Sequence, residues 1–228
     1  CIQSVLAQTV PCRMIIVDDA SRDDTYAIAM RYAEEYPDRI TVLKNEQNAG
    51  AAASRNRAVA CATTPYVAIL DADDWWEKGK LEAQVKTMEL TGCDICSTGR
   101  ELMQPNGHTT GKYIPVKERI TYHDLLKHNS INCSSVLLKR EDALAFPMTH
   151  DDSHEDYITW LKILRRGGFA VGINKPYLKY RLSEGGKSRN KLKSAAMTYQ
   201  VYRYVGYGRL KSLLFFISYA VHGVWKYR

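Results

Sequence analysis

The sequence predicts an α/β fold in which a mostly parallel sheet is flanked by helices and followed by a C-terminal helical tail. Short apolar runs alternate with helical patterns through the first half of the chain. Acidic residues directly follow two of these runs. The 228 residues, 45% hydrophobic and 25% charged, suit one full-sized globular domain and argue against disorder or a polytopic membrane protein.

Each apolar run in the first half has the length of a strand, and a longer amphipathic pattern follows the first three. The predicted strands are MIIV (14–17), ITVLKN (40–45), PYVAILD (65–71) and CDICST (93–98). The predicted helices run from about Asp24 to Tyr36, from Ala49 to Ala62 and from Glu77 to Leu90. Such alternation favours parallel strands joined by crossover helices, with ligands bound beyond the carboxyl ends of the strands.

The second half is less regular. A Pro-Asn-Gly turn between two extended stretches predicts a hairpin or flap over residues 101–115. INCSSVLLKRE (131–141) is typical of a strand that leads into a short helix, and HEDYITWLKILRRGG (154–168) of a helix ended by glycine. We therefore expect a catalytic domain over residues 1–190 and a basic amphipathic tail over 191–228.

The net charge of +7 lies in the tail, because Glu184 is the last acidic residue and nine Lys or Arg follow it. Such a surface attracts anionic lipid or nucleic acid. The apolar stretch LLFFISYAVHGVW (213–225) is shorter than the 20 or so residues that a membrane span needs. It suits a helix lying in the membrane interface or a terminal helix packed on the domain.

The six cysteines do not form the pattern of a secreted disulfide scaffold, and we expect a cytoplasmic protein. Cys93 and Cys96 form a single CxxC at the start of a predicted strand, where buried thiols are favoured over zinc or redox chemistry. The chain opens at Cys1 inside a helical pattern, so we expect that an upstream strand is missing.

The first candidate ligand-binding residues, Asp18 and Asp19, end the first predicted strand. At that edge a carboxylate can accept hydrogen bonds from a nucleobase or a ribose hydroxyl. Capping of the following helix is the alternative.

Asp71, Asp73 and Asp74 place three carboxylates within four residues after the most strand-like segment. Like charges at such spacing are costly without a positive partner. Hard oxygen ligands suit Mg²⁺ or Mn²⁺, which commonly keep waters and substrate phosphates as further ligands. A solvated loop that caps the next helix is the competing interpretation.

Glu155 and Asp156 begin a predicted helix, and either carboxylate could act as a general base toward an acceptor hydroxyl. The alternative is structural, because Ser153 and Asp156 have the spacing of a capping box.

Basic residues that could neutralise a diphosphate occur in two segments. Arg55 lies in NAGAAASRNRA (48–58), whose small residues would let a ligand approach the helix start. Arg181, Lys187 and Arg189 lie in the glycine-containing YRLSEGGKSRNK, which could form a mobile loop over phosphates. Solvated surface positions are the alternative for both groups.

Taken together, IIVDDAS, NAGAAASRN, ILDADDWW and HEDYITWLKILRRGG resemble, in order and spacing, the family 2 glycosyltransferases, which have the nucleotide-diphospho-sugar transferase (GT-A) fold. The similarity covers nearly the whole chain and is greatest to bacterial enzymes that build teichuronic acid, O-antigen and capsule. The segments ITYHDLLKHN, KYRLSEGGKSRNK and FFISYAVHGVWKYR extend it. The family's first strand, with its own donor contacts, precedes the part of the pattern present here.

The resemblance implies an inverting enzyme that moves a sugar from a nucleotide diphosphate sugar, UDP-linked in our expectation, to a hydroxyl of a glycan acceptor, which the tail suggests is lipid-linked. Asp156 would be the base, with Glu155 beside it, and Asp73 and Asp71 would hold Mn²⁺ or Mg²⁺. The implied nucleotide-sugar contacts are Asp18, Asp19, Asn48, Gly50, Arg55, Asp71 and Arg181. We expect the protein on the inner face of the plasma membrane, held to anionic lipid by its tail.

Two other classes of function remain open. HDDSHED (150–156) crowds His150 and His154 with four acids, as metal hydrolases do. If Ser153 caps the helix, however, His150 lies outside it. A tail that binds nucleic acid is the second alternative, with bases stacked on Tyr199, Tyr202, Tyr204 and Tyr207.

Overall fold

The computed structural model describes residues 1–182 and 191–226, with the side chains of residues 1–182 and 192–221. In this part of the chain the helices are α1 (Ile2–Leu6), α2 (Thr25–Glu35), α3 (Ala51–Cys61), α4 (Lys80–Thr91), α5 (Tyr122–Lys127), α6 (Arg140–Ala145), α7 (Glu155–Leu164), α8 (Lys191–Tyr204) and α9 (Arg209–Lys226). The strands are β1 (Met14–Asp18), β2 (Ile40–Lys44), β3 (Tyr66–Ala68), β4 (Trp75–Trp76), β5 (Ile95–Met103), β6 (Thr109–Ile114), β7 (Arg119–Thr121), β8 (Leu137–Lys139) and β9 (Phe169–Arg181). A 3₁₀ turn, Cys133–Ser135, precedes β8.

The alternation of strands and helices predicted for the first half is present. β1 and β2 pair in parallel, and α2 crosses between them. The third strand is shorter than the predicted 65–71, because the chain leaves the sheet after Ala68. The helix predicted from Glu77 begins at Lys80, since Trp75 and Trp76 form β4 against β9 and Gly79 takes a left-handed φ of 81° before the helix.

The main sheet has the order β3-β8-β5-β9-β4, with β6 added beside β5 and β7 beside β9. Within it the long pair β5 and β9 is parallel, whereas the other described pairs are antiparallel. This pairing differs from the mostly parallel sheet that the sequence led us to expect. The physical reason is that the second half supplies short return strands, and parallel neighbours need long crossover connections.

The predicted hairpin is formed by β5 and β6, with Gly107 at a φ of 86° in its turn. The expected strand-to-helix unit is β8 followed by α6. α7 ends at Leu164, and Gly167 at a φ of 93° turns the chain into β9. Gly107 and Gly167 thus occupy turn positions where an L side chain would be strained.

Two apolar clusters hold the molecule together. The larger one lies around α7, whose Tyr157, Ile158, Trp160 and Leu161 are at most 1% exposed, and includes residues of β3, β5, β8 and α8. The smaller one joins α1 and α4 to the opposite side of the main sheet and contains the buried thiols of Cys93 and Cys96. Both faces of the sheet are therefore covered, as an α/β fold requires.

The two C-terminal helices pack on the larger cluster. Val201 and Tyr202 of α8 are completely buried, and Phe215, Phe216 and Tyr219 of α9 lie against the same core. No helix in residues 1–182 and 191–226 is both long and apolar enough to cross a bilayer. The opposite side of α9 exposes a row of apolar side chains, which consists of Leu210, Leu213, Leu214, Ile217 and Val221.

Candidate functional site

Arg55 joins the two carboxylate motifs predicted from the sequence. Its guanidinium donates to Asp71 Oδ1 at 2.6 Å and to Glu155 Oε1 at 2.8 Å. Asp71 follows β3, and Glu155 opens α7, so one arginine ties the strand end to the helix start. The side chain of Arg55 is 17% exposed and that of Glu155 is 9% exposed. The Arg55–Glu155 pair is therefore little screened by solvent, whereas the Asp71 side chain is 37% exposed and its pair with Arg55 is screened more.

Asp156 lies beside this cluster at the start of α7. Its Oδ1 accepts a hydrogen bond of 2.7 Å from the backbone N–H of Tyr157. Desolvation, reinforced by repulsion from Glu155 and opposed by Arg55, raises the pKa of Asp156 to about 6. A carboxylate in this state can take a proton near neutral pH.

The segment after β3 separates its three aspartates. Asp71 is partly exposed and Asp73 is exposed, whereas Asp74 is 1% exposed. Asp74 Oδ1 accepts from the backbone N–H of Arg181 at 2.9 Å, and desolvation raises the pKa of Asp74 to about 6. Two carboxylates thus face outward, and the third is part of the structure of the segment.

Asp71 and Asp73 fit a divalent ion that shares its coordination with a substrate. Their oxygens are hard ligands, and the exposure of both residues leaves room for phosphate and water. Within residues 1–182 and 192–221, no three His, Cys, Asp or Glu side chains are grouped so as to hold a metal by themselves. Asp71 and Asp73 thus offer two oxygen ligands, and substrate and water would have to supply the rest.

Ser134 positions this segment and was not identified from the sequence. Its hydroxyl accepts from the Asp71 N–H at 3.2 Å, and its carbonyl accepts from the Trp76 indole N–H at 2.7 Å. Ser134 is completely buried in the 3₁₀ turn before β8. No local pattern marks a serine that acts on residues about 60 positions away, so only the folded chain reveals it.

Asp19 holds the turn that leads into α3. Its carboxylate accepts from Asn45 Nδ2 at 2.7 Å and from the N–H groups of Ala49 and Gly50 at 2.8 and 2.9 Å. Although desolvation opposes it, hydrogen bonding from Ala49 and Asn45 lowers the pKa of Asp19. The Asn48 side chain donates to the Asp19 carbonyl at 3.4 Å. Asp19, Asn48 and Gly50 are thus brought together.

Asp18 points into the protein and is 3% exposed. Its Oδ2 accepts from the Ser21 N–H at 3.4 Å, and its Oδ1 has no hydrogen-bond partner in the described part of the chain. Neither Asp18 nor Asp19 caps α2, whose N-cap is Asp24. An open depression of about 380 Å³, lined by Ala20, Ser21, Lys44, Asn45 and Glu46, lies at the same ends of β1 and β2.

Arg181 lies at the end of β9 instead of in a loop. Its side chain donates to the Asp73 carbonyl at 3.0 Å and to the Pro105 carbonyl at 2.6 Å, and it packs over the Trp75 ring. It thereby ties the metal-site candidates to the β5–β6 hairpin. Lys187 and Arg189, which the sequence grouped with it, lie outside the described residues.

The geometry argues against the two other classes of function. His150 stacks on Tyr204 with 3.6 Å between ring centroids, and α7 starts only at Glu155, so the two histidines do not share a helical face. Ser153 is not the expected helix cap, because its hydroxyl bonds to the Met197 carbonyl. The proposed base-stacking tyrosines are also engaged: Tyr202 is completely buried, and Tyr207 hydrogen-bonds to Tyr122 at 2.7 Å.

Comparison with known sequences places these motifs in context. The model of the family described as glycosyl transferase family 2 matches residues 1–145. The teichuronic acid biosynthesis glycosyltransferase TuaG of Bacillus subtilis is 40% identical over 99% of this chain and 90% of its own length. The UDP-Glc:α-D-GlcNAc-diphosphoundecaprenol β-1,3-glucosyltransferase WfgD of Escherichia coli is 33% identical over 99% of this chain and 88% of its own length.

Solved structures of similar fold include two that hold a sugar nucleotide. S. aureus TarS, residues 1–349 with UDP-GlcNAc, superposes with a TM-score of 0.71 at 16% identity over 96% of this chain. The mannosyltransferase PcManGT of Pyrobaculum calidifontis, with GDP-Man and Mn²⁺, gives a TM-score of 0.70 at 19% identity over 94% of it. The chain spans 66% and 64% of those two proteins. At these identities the likeness supports the GT-A fold.

Proposed function

Because the chain belongs to glycosyl transferase family 2, we propose that it is an inverting enzyme that moves a hexose from a UDP-sugar to a hydroxyl of a lipid-linked glycan during surface polysaccharide synthesis. The observation that carries this proposal is the double ion pair of Arg55, which brings the carboxylate after β3 to the carboxylates that open α7. TuaG and WfgD, named for teichuronic acid synthesis and for glucosyl transfer to a diphosphoundecaprenol-linked sugar, support the substrate class.

The donor is placed across the carboxyl ends of β1, β2 and β3. The depression beside Asp18 and Asn45 offers room for the nucleobase and ribose, and the UDP-GlcNAc complex of TarS supports a uracil nucleotide. Asp19, Asn48 and Gly50 are joined by hydrogen bonds after β1 and β2, and Asp18 is buried. Asp71 follows β3, and Arg181 holds the segment after β3 through the Asp73 carbonyl.

Asp71 and Asp73 would hold Mn²⁺ or Mg²⁺ against the donor diphosphate. When bound, the ion neutralises the negative charge that develops on the leaving diphosphate. The charge around Asp71 supports this assignment, since the carboxylates of Asp71, Glu155 and Asp156 gather around the guanidinium of Arg55. The Mn²⁺ in the mannosyltransferase complex supports it as well.

Asp156 acts as the general base. Its carboxylate takes the proton from the acceptor hydroxyl while the hydroxyl oxygen attacks the anomeric carbon and the diphosphate leaves from the opposite side. One such displacement inverts the anomeric centre. Glu155 is occupied by Arg55 at 2.8 Å, which leaves Asp156 as the carboxylate of the pair that can accept a proton.

The tail would hold the enzyme on the cytoplasmic face of the membrane, where a lipid-linked acceptor is reached. The exposed row on α9, Leu210 to Val221, lies at helical spacing and is flanked by the exposed Arg209 and Lys211. An apolar face bordered by cations suits an anionic lipid surface. The absence of acidic residues after Glu184 keeps this surface free of repulsion from anionic headgroups.

Calorimetric titration with UDP and GDP, with and without Mn²⁺, tests the donor site. We expect Mn²⁺-dependent binding of UDP by the wild-type chain, lost in Asp73→Ala because one of two metal ligands is removed. Asp38→Ala, at an exposed carboxylate in the α2–β2 connection, is the matched control and should bind as the wild type does.

The transfer reaction is then assayed with a panel of UDP- and GDP-sugars and undecaprenyl diphosphate-linked GlcNAc. We expect transfer from a UDP-sugar, with Mn²⁺ or Mg²⁺ present. Nucleotide binding that is independent of both metal and Asp73, together with no transfer from any donor, would refute the proposed function.

A further inference from the structure

A short segment leads into the helix that bears the catalytic carboxylates. We call residues 149–154 the approach segment, since they connect Met148 to α7. His150 within it has a φ of 68°, a left-handed conformation that non-glycine residues seldom adopt. Such a conformation persists only where its surroundings hold it.

The tail helix α8 holds this segment from one side. The Tyr204 ring stacks on the His150 imidazole, with centroids 3.6 Å apart and planes 7° from parallel. The Tyr204 hydroxyl donates to Asp152 Oδ2 at 2.9 Å. Ser153, which is completely buried, donates to the Met197 carbonyl of α8 at 2.9 Å. Three of the six residues are thus fixed by one helix.

The start of α3 holds the segment from the other side. Asp151 Oδ1 accepts from the Ala52 N–H at 3.0 Å. Met148, which directly precedes the approach segment, exchanges two hydrogen bonds with the Asn56 side chain, at 2.7 and 2.9 Å. The approach segment therefore lies between the helix that carries Arg55 and the tail.

Among these contacts, those of Tyr204 hold the strained part of the segment. Its ring contacts His150, and its hydroxyl donates to Asp152, which lies four residues before Asp156. Shifts of about 1 Å at a reacting group can reduce a rate by about 10²-fold. A side chain in the tail can thus affect the reaction without touching substrate.

We propose that Tyr204 is a positioning residue for sugar transfer: by holding the approach segment against α8, it fixes where α7 presents Asp156 to the acceptor hydroxyl. This inference rests on the proposed function. It makes α8 part of the transfer machinery, so that the helix leading to the membrane-facing α9 also determines the position of the base.

Steady-state transfer kinetics of Tyr204→Leu and Tyr204→Phe test the inference, with Tyr199→Leu as the matched control. Tyr199 lies in the same helix, is partly buried, and has no side-chain hydrogen bond to the described residues. We expect Tyr204→Leu to lower kcat by about tenfold or more, with Mn²⁺–UDP affinity within twofold of wild type. Tyr204→Phe keeps the stacked ring and loses only the hydrogen bond to Asp152, so its kcat should fall less than that of Tyr204→Leu.

A second set of variants tests the inference even if Tyr204→Leu fails to fold. Tyr204→Phe, Asp152→Ala and their double variant should each lower kcat by about the same factor, since all three remove one hydrogen bond. Three results would overturn the inference: an unchanged kcat in the Tyr204 variants, additive losses of kcat in the double variant, or an equal loss of kcat in Tyr199→Leu. In each case an active wild type would still support the proposed function. A wild type that transfers no sugar from any donor would overturn both.

Discussion

At the residue scale, the site depends on how one cation is shared. Arg55 is paired with Asp71 and Glu155 at the same time, and the more buried of these carboxylates is Glu155. Asp156 has no ion pair with the described residues, so desolvation and the neighbouring Glu155 raise its pKa to about 6. Adjacent carboxylates therefore differ in their partners, since Glu155 is paired with Arg55 and Asp156 accepts from the Tyr157 N–H.

Asp156→Asn is expected to retain Mn²⁺-dependent UDP binding and to lose sugar transfer by about 10²-fold or more, because the amide cannot take the acceptor proton. Calorimetry and initial-rate measurements separate the two effects. Asp38→Asn, an exposed carboxylate of the same type, should transfer at the wild-type rate.

The pH profile provides a second measurement on the same pair of proteins. The base acts when deprotonated, so the wild-type rate should fall as pH drops through about 6, the raised pKa of Asp156. Burial raises the pKa of Asp156, as do the charges of Glu155 and Asp71, and the charge of Arg55 lowers it. An acid limb near pH 4, or one retained in Asp156→Asn, would assign the proton to another group.

At the element scale, the start of α3 is where two distant parts of the chain meet. Asp19 binds the N–H groups of Ala49 and Gly50, while Asp151 binds that of Ala52, 99 residues away. The first N–H groups of a helix lack partners within it, and these carboxylates supply them. Gly50, at a φ of 90°, permits the close approach.

Gly50→Ala should destabilise the protein more than a glycine replacement without a neighbour. A Cβ on Gly50 would lie 2.4 Å from Asp151 Oδ2, whereas one on Gly92, also at positive φ, meets nothing within 4 Å. We expect Gly92→Ala to cost about 1 kcal/mol in free energy of unfolding and Gly50→Ala at least about 1 kcal/mol more. Urea denaturation measures both, and equal losses would show that Asp151 yields without cost.

The elements that the sequence predicted well are those with strong local patterns. MIIV, ITVLKN and the helices after them appear within a few residues of the expected bounds, because their periodicity is local. The antiparallel pairs of the main sheet were missed, since strand pairing is determined by contacts far apart in the sequence. β3, for example, pairs with β8 some 70 residues later.

The candidate site likewise contains residues that the sequence predicted and residues that it did not. Asp71, Glu155 and Asp156 stand in recognisable motifs, and the structure brings them together around Arg55. Ser134, Asp151 and Tyr204 have no local signal, because each acts on a residue at least 50 positions away. The residues that were missed are therefore those that hold the candidate site residues in place.

At the scale of the whole molecule, the tail has two sides with different environments. One side of α9 packs Phe215, Phe216 and Tyr219 on the core, and the other exposes the row from Leu210 to Val221. A membrane bound by this row would set the orientation of the entire domain, because α9 packs on the core and α8 contacts the approach segment. A lipid-linked acceptor would then meet the candidate site at a fixed distance from the membrane surface.

Replacement of Leu213, Leu214 and Ile217 by Gln should reduce sedimentation with phosphatidylglycerol vesicles by at least about tenfold, since three half-exposed apolar side chains no longer enter the interface. Leu90→Gln with Leu144→Gln, two exposed leucines outside the tail, is the control and should sediment as the wild type does. Undiminished binding of the triple variant would place the membrane contact elsewhere.

The span of the Arg55 ion pairs also bears on how the protein is made. Arg55 and Glu155 are 100 residues apart, so at 5–20 residues per second Glu155 follows Arg55 out of the ribosome by roughly 5–20 seconds. During that interval Asp71 can already neutralise the arginine, 16 residues away. A nascent chain therefore contains Asp71 before Glu155, and the double ion pair of Arg55 can form only after the start of α7 has been made.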